Sequence, residues 1–139
     1  MPYEEEEPPY VEPDPALDQL TGAVIGAAIE VHKKLGAGLD ESLYAAARWR
    51  ELTLRGIPFV REVCIEVEYK GAIIGTKRID LIVDGRLVVE LKAVEALTPL
   101  HKAQVRTYLK LTRLRVGLLI NFNSIILKDG LKRIINPSA

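Results

Sequence analysis

The stretch from Arg78 to Lys92 constrains the fold most. It reads Arg78-Ile79-Asp80-Leu81-Ile82-Val83, then Asp84-Gly85, then Arg86-Leu87-Val88-Val89-Glu90-Leu91-Lys92. Two runs of β-formers flanking an Asp-Gly pair predict a hairpin, with strands over about 72–83 and 87–92. Strands this apolar are built to be covered on both faces, yet an acid stands at 80 and an acid and a lysine at 90 and 92. Residues i and i+2 of a strand share a face, so Glu90 and Lys92 point the same way. Charge inside such strands is retained where it is paired, or where it binds a metal ion or a substrate.

The length of the turn decides whether the acid at 80 joins that pair. A two-residue turn would set Val83 opposite Arg86 and Asp80 opposite Val89, turning Asp80 away from Glu90 and Lys92. A three-residue loop, or a bulge with Gly85 in the left-handed conformation, restores the parity and brings the three charges to one face. A site therefore requires an odd loop. The competing expectation is a plain hairpin whose acids pair with lysines at a sheet edge.

The rest of the chain supplies elements to pack against this hairpin. Leu17, Leu20, Val24, Ala28, Val31 and Leu35 recur at helical spacing, with Gly36 placed to stop the helix. A second helix is expected after Gly38, with Asp40 near its N-cap, Leu43, Ala47 and Leu54 on its buried side, and Gly56 and Pro58 ending it. Val63, Ile65, Val67 and Tyr69 alternate with Cys64, Glu66 and Glu68 as a half-exposed strand that turns at Lys70-Gly71. Thr98-Pro99 reads as an N-cap and first-turn pair opening a helix to about Leu111. Arg115 to Phe122 reads as a buried strand and Ser124 to Leu127 as another. The order predicts an α/β fold in which a central mixed β-sheet is flanked by helices.

At 139 residues the chain is one domain, long enough for a sizeable core. No apolar run approaches membrane-spanning length and no segment reads as a secretory signal. The single cysteine, Cys64, excludes an internal disulfide framework and fits a cytoplasmic protein. The formal net charge is zero but unevenly spread: six of the 19 acids fall within residues 1–16 and none of the 19 basic residues does. That arm, with five prolines, is expected to be extended and flexible. Residues 17–139 form the folded domain, whose charge of +6 suits a polyanionic partner.

Further polar groups stand where a core would not call for them. Gln104 and Tyr108 are i and i+4 and share a helix face. Gly38-x-x-Glu41-x-x-Tyr44 lies at the junction of the first two helices, with His32 one turn before the break. Lys77 and Arg78 precede Asp80, and Lys102 and Arg106 surround Gln104.

With these segments in order, the chain resembles the PD-(D/E)xK nuclease superfamily, which implies a restriction-endonuclease-like core. The Gln104-x-x-x-Tyr108 element is similar to the RecB-type exonuclease branch. Gly38-x-x-Glu41-x-x-Tyr44, Val31-His32-Lys33-x-Leu35-Gly36-x-Gly38, Glu90-Leu91-Lys92-Ala93 and Gly117-Leu118-Leu119-Ile120-Asn121-Phe122 resemble the GxxExxY proteins. The resemblance covers about residues 18–136. One departure is Ile79, where a proline is common.

The resemblance implies a Mg²⁺- or Mn²⁺-dependent deoxyribonuclease. Such metals take hard oxygen ligands and keep several waters, so Asp80 and Glu90 would hold the ion, with the Leu91 carbonyl and with Glu41 directly or through water. Lys92 would orient or help deprotonate the attacking water. Gln104 and Tyr108 would position Lys92 or the substrate strand, and Lys77, Arg78, Lys102 and Arg106 would contact phosphates. His32 is a further candidate metal ligand, against a helix-end structural role. Trp49, Tyr69 and Phe122 are the scattered candidates for base stacking. Carboxylates around such a site repel, so at least one is expected to have a raised pKa, opposed by Lys92. The partner implied is nucleic acid, DNA first, with a homodimer open to so small a domain and no membrane. The rival from another class is a non-catalytic nucleic-acid-binding or regulatory module that retains the fold.

Overall fold

The structure, a computed structural model, describes residues 4–5 and 14–138. The elements run β1 (Glu4–Glu5), α1 (Pro15–Leu35), α2 (Glu41–Leu54), β2 (Phe59–Tyr69), β3 (Ala72–Val83), β4 (Leu87–Lys92), α3 (Pro99–Thr112), β5 (Val116–Asn121), a 3₁₀ turn (Leu127–Gly130) and β6 (Leu131–Ile135). They build one mixed sheet in the order β1-β6-β5-β4-β3-β2. The expectation of an arm over 1–16 lies mostly outside the described residues. Within them, Glu4 and Glu5 pair in parallel with Lys132 and Arg133 on the outer edge of β6. The first helix begins at Pro15, with Asp14 as its N-cap accepting the Leu17 N–H at 3.1 Å.

Helices α1 and α2 cover one face of the sheet and α3 the other. Val24, Ala28, Tyr44 and Leu52 pack with Leu81, Val89, Leu91 and Ile120 on the first face. Val105, Tyr108 and Leu109 pack with Val88, Leu119 and Ile134 on the second. Central strands β4 and β5 pair in parallel and are buried apart from the half-buried Lys92, as expected for strands covered by helices on both sides. Gly117 lets α3 approach closely: a Cβ there would stand 2.6 Å from Val105 Cγ1.

Two sequence expectations are corrected. Ser124 to Leu127 is not a strand; the chain turns there, the Ser124 N–H donating to the Asn121 carbonyl, and leaves Ile125 and Ile126 exposed. That apolar triplet lies in the connection between β5 and β6, whose antiparallel register places Ile120 opposite Leu131. In α2 the buried stripe is Tyr44, Arg48 and Leu52, while Leu43 and Leu54 face solvent. The helix is turned by about one residue from the expected phase, which carries an arginine into the interior.

Candidate active site

The hairpin between β3 and β4 has the odd loop that a site requires. Val83 pairs with Leu87, so Asp84, Gly85 and Arg86 make a three-residue loop, with φ of 52° at Asp84 and 65° at Gly85. The Arg86 N–H closes it on the Val83 carbonyl at 3.0 Å. This register brings Asp80 to the level of Glu90. Ladder pairing ends one step earlier, at Leu81 with Val89, so the strands part just where the acids stand. The strand also twists over there: Ile79 packs with the α3 side and Leu81 with the α1/α2 side. Asp80 closes the gap between the strands, its Oδ2 accepting the Leu91 N–H at 3.0 Å.

Glu90 is 4 % exposed. Its Oε2 lies 3.5 Å from Lys92 Nζ, and its Oε1 is buried without a hydrogen-bond partner. Burial pushes its carboxyl up to about 7, the negative charge of Asp80 adds to the rise, and Lys92 opposes it. The raised acid expected from the sequence is therefore Glu90. Tyr108, buried on α3, has its phenol pushed up by burial and by the charges of Glu90 and Asp80, against a hydrogen bond with Gln104. Asp80, Glu90, Lys92, Gln104 and Tyr108 thus meet in one neighbourhood, drawn from two strands and a helix.

On the α2 side Asp80 opens onto a cavity of about 360 Å³ lined by Glu41, Ser42, Ala45, Arg48, Trp49, Glu62, Arg78, Asp80 and Leu91. Glu41, the first residue of α2, faces it, held by a junction that Tyr44 latches. The Tyr44 hydroxyl donates to the Gly36 carbonyl at 2.5 Å and accepts the Leu39 N–H at 3.0 Å. Its ring stacks on Phe122, with centroids 5.0 Å apart. Phe122 is fully buried, which removes it as a base-stacking candidate.

Of the basic residues singled out, Arg78 lines the cavity, 3.7 Å from Glu62. Lys77 is exposed on β3 and, like Lys102 and Arg106 on α3, is not on the cavity wall. His32 is also elsewhere: its Nε2–H donates to the Ser124 carbonyl at 2.7 Å, tying the end of α1 to the loop after β5. His101 completes a capping box with Thr98.

Two site residues were missed. Arg48, in the middle of α2, is 4 % exposed, and its Nε and Nη1 have no hydrogen-bond partner. Burial lowers its pKa to about 10, opposed by the charges of Asp80, Glu90 and Glu41. It stays protonated. The signal was its i+4 spacing from Tyr44 and i−4 spacing from Leu52, overlooked because Leu43 and Leu54 suggested another phase. Asn121, at the end of β5, accepts the Val94 N–H at 3.0 Å and donates to the Val94 carbonyl at 2.9 Å. It clamps the chain just after Lys92.

A model of the PD-(D/E)XK nuclease superfamily matches residues 18–134. The chain belongs to this superfamily. No curated protein and no solved structure matches it. PD-(D/E)XK nucleases typically use divalent metal ions, and the donors here fit one. Among the described residues no three His, Cys, Asp or Glu side chains group around a single point. What exists is a pair of hard oxygen donors, Asp80 and Glu90, with the unpartnered Glu90 Oε1 available and Glu41 across the cavity. Mg²⁺ asks for no more, since it keeps most of its waters. Membership also implies interaction with nucleic acid, and no helix among the described residues is long and apolar enough to cross a membrane.

Proposed function

We propose that the protein is a Mg²⁺- or Mn²⁺-dependent nuclease that hydrolyses phosphodiester bonds in DNA. The observation that carries this reading is the meeting of Asp80, Glu90 and Lys92 where β3 and β4 part, with one buried carboxylate oxygen unpartnered. Asp80 and Glu90 would hold the metal ion, with the Leu91 carbonyl, and Glu41 across the cavity would reach it through water. The bound ion supplies acidification of a water and stabilises charge on the phosphate oxygens. Lys92 holds the attacking water and offsets the phosphate charge; Glu90, 3.5 Å away, fixes the ammonium. Gln104 and Tyr108 hold each other against the Glu90 side of the site and keep it dry. Arg78 on the cavity wall takes a flanking phosphate, and Lys77, Lys102 and Arg106 guide the polyanion at longer range.

The test is incubation with labelled single- and double-stranded DNA in Mn²⁺, Mg²⁺ or chelator, beside Lys92→Ala and Asp80→Asn. Cleavage by the parent with metal, lost in chelator and in both folded variants, is the expected result. DNA bound but left whole with Mn²⁺ would refute the enzyme and favour a binding module that retains the nuclease fold.

A further inference from the structure

The interior of α2 holds a guanidinium that the reading above does not use. Arg48 is a permanent cation in a protein, and here it is almost completely withdrawn from water. A buried charge of this kind is usually paired and hydrogen-bonded in full. Arg48 is not: its Nε and Nη1 are both without partners. Next along the helix, the buried indole Nε1 of Trp49 is also an unpartnered donor, while Arg61 lies over the ring at 4.1 Å. Both residues line the cavity that holds Asp80 and Glu41. The cavity lining therefore combines residues that carry orphaned N–H donors with residues that carry carboxylates.

Electrostatics argue against a simple counter-ion. Asp80, Glu90 and Glu41 favour the charged guanidinium, but a residue kept only to neutralise them would spend its donors on them.

We infer that Arg48, with the Trp49 indole N–H beside it, is a phosphate-binding site inside the cavity, taking non-bridging oxygens of the phosphodiester that lies against Asp80. This rests on the nuclease reading of the same site and adds the group that holds the scissile phosphate. Guanidinium donors suit phosphate oxygens, and the orphaned N–H groups gain the partners that the folded chain denies them.

Trp49 is the only tryptophan, so its indole N–H gives one resonance in a ¹⁵N-labelled sample. Arg48→Lys assigns the buried Arg48 Nε–H by its disappearance. The probes are Mg²⁺ alone, then short single- and double-stranded DNA added to the Mg²⁺-loaded full chain in a Lys92→Ala background. DNA should move both resonances. Arg48→Met should weaken DNA at least about tenfold, the value of one lost charged hydrogen bond, while Mg²⁺ binds no more weakly. Arg48→Lys should not restore affinity. DNA that binds with both signals unmoved would overturn the proposal even if Arg48→Met fails to fold, as would unchanged affinity in a folded Arg48→Met. The nuclease reading would stand in either case, because wild-type cleavage tests it separately. A parent that binds neither Mg²⁺ nor DNA would remove the nuclease reading and this inference with it.

Discussion

Replacing Glu90 by glutamine should stabilise the metal-free protein, and by an amount that depends on pH. In the unfolded chain this carboxyl titrates near 4.5, and in the folded protein burial and the neighbouring Asp80 raise it to about 7. Between those two values the native state holds a proton that the unfolded state has released. Stability then falls as pH rises through this window, and the loss is complete above the folded pKa. At about 1.4 kcal/mol per pH unit, the ionised carboxylate costs the fold about 3 kcal/mol at pH 8. Glutamine keeps the shape and removes the charge. Urea unfolding in chelator, from pH 4 to 8.5, should give near-equal stabilities for parent and Glu90→Gln at the acid end. Toward pH 8 the variant should lead by about 3 kcal/mol, on the order of 10 °C in Tm for a domain of this size. Taking the difference between the two proteins removes most titrations they share. Curves that run parallel across the whole range would refute the reasoning, because a pH-independent gap cannot come from a displaced carboxyl pKa.

Other predictions follow from neighbouring contacts. Millimolar Mg²⁺ or Mn²⁺ should raise the Tm of the parent by linkage, chelator should reverse it, and Glu90→Gln should blunt it; an equal shift in both proteins would place the ion elsewhere. Asn121→Ala strips the Val94 N–H of its side-chain partner and leaves the Val94 carbonyl with the Asn123 Nδ2–H alone, at 3.3 Å. It should cost about 1–3 kcal/mol in urea and, under the nuclease reading, slow cleavage by loosening the chain after Lys92. Gly117→Ala should lower the unfolding free energy measured in urea by about 1–3 kcal/mol, since its Cβ would meet Val105 Cγ1 at 2.6 Å.

Much of the site was legible before folding because a strand carries its own ruler. Alternation has a period of two, so the positions of Asp80, Glu90 and Lys92 reduced the question to whether the loop was odd or even. The structure answered with three residues, Asp84 to Arg86. Gln104 and Tyr108 were found through i,i+4 spacing within one helix, which local geometry also sets, and Glu41 and Tyr44 through the resemblance of Gly38-x-x-Glu41-x-x-Tyr44 to a known family. The strand expected at Ser124 to Leu127 failed because apolar residues alone do not make a ladder; the turn at Asn121 and the pairing of β6 with β5 used a different segment.

What the amino-acid order determined by itself was therefore local: elements, periods, the parity of the hairpin and the identity of the charged triplet. What only the tertiary structure decided was which groups lost their water. Helix α2 has apolar residues on two sides, and the sheet, not the helix, selected Tyr44, Arg48 and Leu52 for burial. The same packing drew Asn121 onto Val94 and left Glu90 Oε1 and the Arg48 donors dry and unpartnered. Desolvation depends on every element that closes over a group, so no window of sequence contains it.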